Sequence, residues 1–375
     1  MIPFNIPYFS GKELDFLTTL IDSKQISSGG KYSSYCKSFL EKEFHEASVF
    51  LTQSATQAIE ISAILAGIGY GDEVIMPSFT YVSSANPFVL LGAKIVFVDI
   101  CPDTMNLNPR MLKQALTPNT KAILPVHYGG VPANMEAILD FANEHNLFVI
   151  EDAAHAFGST LNGAPLGSFG DTACISFHST KNIQCGEGGA LIINNKLLLS
   201  KAEEIIHNGT NRTAFFRGEV PAYTWVSKSF GSQMSEINAA LLASQLPDYK
   251  TVARIRKQHW DIYLKKLSDL EESGKLILPK VPDNSQINGH LFFIKTQNHK
   301  QRKKLQHFLL SNGVETAFHF QPLHLSPAGK KYGRFSGKDE FTLIESNRLL
   351  RLPLYPDLKN EEIDKISKII HRFFE

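Results

Sequence analysis

Sulfur is scarce in this chain: four cysteines among 375 residues, at positions 36, 101, 174 and 185. They form no C-x-x-C pair and have no metal-ligand spacing, which argues against a zinc module or a disulfide framework. Free thiols in a reducing compartment are expected. An excess of one charge is also missing. Lys and Arg number 38 against 37 Asp and Glu, a net +1, so no basic surplus points to nucleic acid or an anionic membrane. No run approaches the ~20 apolar residues of a membrane span. The opening Met1-Ile-Pro-Phe-Asn has neither the basic start nor the apolar stretch of a signal peptide. A cytoplasmic location is expected, and the N-x-[S/T] sequons at Asn208 and Asn211 are then chance matches. There is no internal repeat and no low-complexity linker.

What is present is ordinary in amount. Apolar residues make up 43% and charged residues 20%, as in a globular protein, and the length suffices for two lobes and a large core. From about residue 46 to 195, short apolar runs alternate with helix-like stretches. Expected strands are Ser48–Leu51, Glu73–Met76, Lys94–Asp99, Lys121–His127, Leu147–Asp152, Thr172–His178 and Gly189–Ile193, with helical patterns such as Thr56–Ala66 and Asn134–Glu144 between them. This rhythm predicts an α/β lobe with a mostly parallel sheet. A long helix from Glu236 to about Leu270 is expected to cross into a smaller α+β lobe. That lobe has strand candidates Leu291–Thr296 and Glu315–His319 and an amphipathic helix Asn360–Phe374. The expected division is 1–245 and 246–375.

Two elements carry the chemistry. Phe148-Val-Ile-Glu-Asp-Ala-Ala-His155 reads as a buried strand that delivers Asp152 to a sheet edge. The run Thr172–Phe177 is followed by His178-Ser-Thr-Lys181, which puts a lysine 29 positions after Asp152. An aspartate and a lysine offered to one cleft suit pyridoxal phosphate (PLP). The lysine binds the cofactor aldehyde covalently, and the acid keeps the pyridine nitrogen protonated. Phe50-Leu-Thr-Gln-Ser-Ala-Thr-Gln-Ala58 runs from a strand into a helix. The amides of Ala55 and Thr56, with the Thr56 hydroxyl, suit a phosphate at a helix N-terminus; the alternative is plain N-capping by Ser54 or Thr56. Arg212 and Arg217 lie among Phe215, Phe216, Tyr223 and Trp225, a set suited to a diphosphate and a base or sugar face, or equally to a loop packed at a subunit interface. Gly29-Gly30 offers close backbone amides or only a turn.

The order of these signals is more specific than any one of them. A small-residue cradle comes first, then Pro77-Ser-Phe-Thr-Tyr81, Glu151-Asp-Ala-Ala-His155, and Lys181 followed by Gly186-Glu-Gly-Gly189. The chain resembles the sugar-nucleotide aminotransferases of the DegT family, of PLP fold type I. The resemblance runs from Pro3-Phe4 to Val314-Glu-Thr-Ala-Phe-His-Phe-Gln-Pro-Leu-His324 and beyond. A branch that aminates C4 of dTDP-4-oxo-6-deoxyglucose is resembled through six segments. They are Asp72-Glu-Val-Ile-Met-Pro-Ser78, Val126-His-Tyr128, Gly209-Thr-Asn-Arg212, Phe215-Phe-Arg-Gly218, Tyr223-Thr-Trp225 and Arg348-Leu-Leu-Arg-Leu-Pro353. The stretch Ile183-Gln-Cys185 is shorter than that branch has and matches the wider family.

The resemblance implies residue roles. Lys181 holds the cofactor, Asp152 bonds the ring nitrogen, His155 lies near the ring hydroxyl and Tyr81 stacks on the ring. Ala55, Thr56 and Ser176 bind the phosphate, joined by Gln233 from a partner subunit, a match by position rather than identity. His319 and His324 lie near the sugar nucleotide. It also implies glutamate as donor, a dTDP-sugar acceptor and a homodimer with shared sites. An aminotransferase-like regulator would need an added DNA-binding segment, and no basic helix-turn-helix stretch is present. A sugar dehydratase of this family would carry histidine in place of Lys181.

Overall fold

The computed structural model describes residues 1–375. Seven strands in the first half lie where short apolar runs occur: β1 Ser48–Thr52, β2 Glu73–Pro77, β3 Lys94–Val98, β4 Thr120–Ile123, β5 Phe148–Asp152, β6 Thr172–Ser176 and β7 Gly189–Ile193. Every residue of β2, β6 and β7 is buried, as expected of strands covered on both faces. Later strands are β8 Phe292–Lys295, β9 Gly333–Phe335 and β10 Leu349–Leu352. The large sheet has the order β1-β7-β6-β5-β4-β2-β3-β9. It is mostly parallel, with antiparallel pairings only where β7 meets β6 and β1. The mixed α/β architecture with a mostly parallel sheet is the one expected from the sequence.

The helices that matter to the site are α1 Lys31–Glu43, α2 Ala55–Leu65, α3 Met135–His145, α4 Glu236–Gln245, α5 Tyr249–Glu272, α6 His299–Ser311 and α7 Asn360–Phe374. The single crossing helix expected from Glu236 is two helices. They are separated by a 3₁₀ turn, Leu246–Asp248, that contains Pro247. Proline has no amide to donate and its ring crowds the preceding turn, so the α-helical hydrogen bonding is interrupted there. The start of α5 packs into one core through Tyr249 and Val252. Its middle and end enter another core through Trp260, Tyr263, Leu267 and Leu270, beside Phe292, Leu350 and the isoleucines of α7. Ile363, Ile366, Ile369 and Ile370 are spaced to face one side of α7, and all are buried.

One expectation from sequence is corrected here and another is narrowed. Glu315–His319 is not a strand: of these residues only Ala317 pairs, by a bridge to Arg351, and the chain then bends through Phe320 toward Pro322. Of Gly29-Gly30, read from sequence as close amides or only a turn, the Gly30 amide is already engaged within the chain. The carboxylate of buried Glu236 accepts from the amides of Gly30, Tyr32 and Ser33 and so caps α1. A Cβ on Gly30 would lie 2.8 Å from Glu236 Cδ, which explains the glycine.

Candidate active site

β5 and β6 run parallel with Asp152 opposite Cys174, so both strands end on the same edge of the sheet. A cavity of about 520 Å³ opens there, lined by Ser54, Ala55, Thr56, Tyr81, Asp152, His155, Ser176, Lys181, His319 and Arg351 among others. Ligands bind at such carboxyl edges because loops there leave space between strand ends and helix starts.

Lys181 is presented by a turn after β6. Cross-bonds hold this segment: Cys185 donates its amide to the Phe177 carbonyl at 2.9 Å and Ser179 to Gly186 at 2.8 Å. Burial drives the Lys181 amine down to about 8, aided by the charge of Arg351, while Asp152 and Cys174 pull the other way. Asp152 is anchored on both oxygens. Ser84 Oγ donates to Oδ2 at 2.6 Å and the Ala154 amide to Oδ1 at 3.2 Å. Thr80 Oγ1 in turn lies 2.7 Å from Ser84 Oγ. One step from Asp152, the Glu151 carboxylate takes the amides of Gly167, Phe169 and Gly170 and the Nε2 proton of buried His127. The strand end is therefore fixed independently of any ligand.

At the opposite end Ser54 is the N-cap of α2, with its side chain accepting from the Gln57 amide at 3.3 Å. The first amides of a helix have no partner within it, and those of Ala55 and Thr56 lie at the cavity wall. Capping and an anion cradle thus coexist. Gly189 brings β7 against this turn: an added Cβ would stand 2.4 Å from Ala55 N and from Ser54 C. Ser176 also lines this end.

His155 accepts from the Gly129 amide through Nδ1 at 3.2 Å. That leaves the imidazole proton on Nε2. Burial keeps it neutral, helped by the nearby cations Lys181 and Arg351. His319 is stacked on Phe320, with its Nδ1 hydrogen-bonded to the Tyr128 hydroxyl at 3.1 Å; burial holds it neutral as well. Tyr81 lines the mouth, 60% exposed and tilted against Phe320.

Four residues singled out from sequence lie elsewhere. His324 is not among the residues that line this cavity; its Nδ1 is bonded to Ser78 Oγ at 2.7 Å and its Nε2 lies beside Asp339 at 3.2 Å. Arg217 is engaged by Glu203 and Glu219, and Arg212 lies over the Phe216 ring. Both belong to an exposed segment with Tyr223 and Trp225 and do not line this cavity. Gln233 bonds Ser28 and His207 and is also outside it. Conversely, Ser84, Tyr128, His290 and Arg351 were not read as site residues. Tyr128 and Arg351 lie in segments that carry the resemblance, and Arg351 left a further signal as the polar residue between Leu350 and Leu352 in a strand-like run.

Residues 8–371 match the DegT/DnrJ/EryC1/StrS aminotransferase family. The chain belongs to this family. DegT-family aminotransferases depend on PLP. Solved structures agree over the whole length. An aminotransferase from Psychrobacter cryohalolentis superposes with a TM-score of 0.91 at 25% identity, covering 98% of each chain. The aminotransferase TlmJ from Streptoalloteichus hindustanus gives 0.90 at 25%, covering 100% of this chain and 99% of that one. DesV from S. venezuelae gives 0.88 at 26%, covering 100% and 98%. The DegT-family cofactor suits the groups present. An enclosed amine driven toward neutrality, a carboxylate fixed by Ser84 and two helix amides kept accessible by Gly189 are the donors and acceptors that an aldehyde, a pyridinium and a phosphate require.

Proposed function

We propose that this DegT-family protein transfers an amino group from glutamate to C4 of dTDP-4-oxo-6-deoxyglucose. The products are dTDP-4-amino-4,6-dideoxygalactose, a precursor for cell-surface polysaccharide, and 2-oxoglutarate. The observation that carries the transaminase reading is Lys181 and Asp152 on one cavity that ends at the α2 N-terminus. The choice of acceptor rests on the branch-like segments of the sequence.

PLP, when bound, supplies the electron sink for the carbanion at the reacting carbon. The chain's own groups do the rest. Lys181 holds the cofactor between turnovers. With PLP bound, Lys181 Nζ would be the base that takes the proton from the donor Cα in the first half, and the acid that returns one to the sugar carbon in the second. A lowered pKa makes that nitrogen a competent base near neutrality. Asp152, held by Ser84 and the Ala154 amide, keeps the ring nitrogen protonated. His155 Nε2–H would be the donor to the ring hydroxyl. Ala55 and Thr56 amides and the Ser176 hydroxyl hold the phosphate, and Gln233 reaches it from the partner subunit of a homodimer. His319 borders the acceptor, with Arg212 or Arg217 arriving from the exposed aromatic segment.

Incubation with dTDP-4-oxo-6-deoxyglucose and glutamate, followed by NMR of the product, tests the reading. Nitrogen at C4 in the galacto configuration is expected. Nitrogen at C3, a gluco product or no turnover would overturn the acceptor assignment.

A further inference from the structure

Arg351 stands apart from other arginines of the chain in having no anionic or close partner. Arg256 donates to the carbonyls of Gly289 and His290, Arg348 pairs with Glu345 and Arg334 with Glu73. Arg351 has no carboxylate. Its one protein acceptor is the Phe318 carbonyl at a long 3.4 Å, and its Nε is fully shielded from water with no partner. Arg302 also has unpaired nitrogens but lies outside the cavity, over Phe318. Burial pulls the Arg351 guanidinium down to about 10, a sign of a cation held without its counter-ion. The side chain is also rigidly mounted. Leu350 and Leu352 are locked in the core on the other face of β10, the backbone bonds Ala317, and the guanidinium lies over the Phe4 ring with 4.7 Å to its centroid. It shares the cavity with Lys181, and its charge acts on that amine.

We infer that Arg351 is the anchor for the α-carboxylate of the amino donor and, after transfer, of the 2-oxo acid. The inference rests on the transaminase reading above. The argument is one of bond count. A donor must place its amine where Lys181 ends, and its α-carboxylate is attached to the same carbon as that amine. The side-chain carboxylate of glutamate is farther away. A sugar nucleotide carries its charge on a diphosphate at C1, across the ring from C4, and has no anion beside its reacting carbon. A planar guanidinium with free N–H groups matches a carboxylate in two parallel hydrogen bonds and orients Cα as well as holding it.

The test titrates the PLP form of the full-length protein, without sugar, against L-glutamate and against α-methyl-L-glutamate. The latter has no Cα proton to lose, so its absorbance change reports binding alone. In Arg351→Gln the apparent Kd for both is expected to rise about 10- to 100-fold, the loss of a charge-assisted pair. Arg351→Lys, which keeps the charge without the fork, is expected to fall between and serves if Arg351→Gln does not fold. Inhibition by 2-oxoglutarate weakens in parallel, while sugar-nucleotide affinity stays at the wild-type value. Unchanged binding of both amino acids, or a loss confined to the sugar nucleotide, overturns the assignment. If the wild type ignores glutamate but binds another L-amino acid, the same comparison with that donor decides Arg351, and only the choice of glutamate falls. A wild type that binds no α-amino acid overturns both.

Discussion

At Lys181, burial and charge act in opposite directions: burial removes the proton and Asp152 retains it, with burial winning. The lowered value sets a pH dependence. Attachment of PLP to the apo-protein needs the neutral amine, so its rate is expected to climb about tenfold per pH unit and level off above about 8. Stopped-flow absorbance reads this directly. Because the Asp152 charge raises the lysine pKa, Asp152→Asn is expected to move the break to lower pH; because the Arg351 charge lowers it, Arg351→Gln moves it up. Stability follows the same linkage. Between about 8 and 10.5 the unfolded chain binds a proton that the folded chain does not, so the apo-protein gains stability as pH rises through that window. Lys181→Ala should abolish both the borohydride-fixed cofactor, read by peptide mass spectrometry, and turnover. Turnover at the wild-type rate in that variant would remove Lys181 from the chemistry. Asp152→Asn is expected to slow the glutamate half-reaction by at least about 100-fold, since a neutral amide does not stabilise a charged ring nitrogen.

At the scale of elements, the phosphate end depends on contact between two backbones. β7 begins at Gly189, whose missing side chain lets the strand pass against the first turn of α2. Both obstacles to a Cβ are main-chain atoms, which have no rotamer to change. Gly189→Ala is therefore expected to cost about 1–3 kcal/mol in thermal unfolding. It should also release PLP faster on dialysis, because Ala55 and Thr56 shift with α2. Retention of PLP at the wild-type rate would separate this turn from the phosphate. The same economy of space explains Gly30, which lets Glu236 reach the amides of α1 across 206 positions of sequence.

α5 joins two of the molecule's hydrophobic cores, and the cavity is lined both by β5, β6 and α2 and by Arg351 and His319. The segment with Phe216, Tyr223 and Trp225 is largely exposed in a single chain, with Trp225 75% accessible. Gln233 lies at the end of that segment and outside its own chain's cavity. Both facts suit a partner subunit that receives them. Equilibrium sedimentation is expected to give a homodimer, and Gln233→Ala to weaken PLP retention about tenfold through one lost bond to a charged group. An active monomer would contradict the shared site; unchanged retention would remove only Gln233 from it.

Local periodicity made much of this architecture legible before any coordinates. The isoleucines of α7, the apolar runs of β5 and β6 and the rhythm between them depend on neighbours a few residues away, and those repeat in the sequence. The order of Asp152, Lys181 and Gly186–Gly189 was readable for the same reason, with the family resemblance supplying roles that spacing alone does not. Other features are decided by partners that only the folded chain brings together. Glu236 claims the Gly30 amide, Ser78 and Asp339 claim His324, and nothing but the long Phe318 contact claims Arg351. Whether a polar group is spent on the scaffold or left for a ligand depends on which acceptors surround it in space, and only the packed tertiary structure decides that.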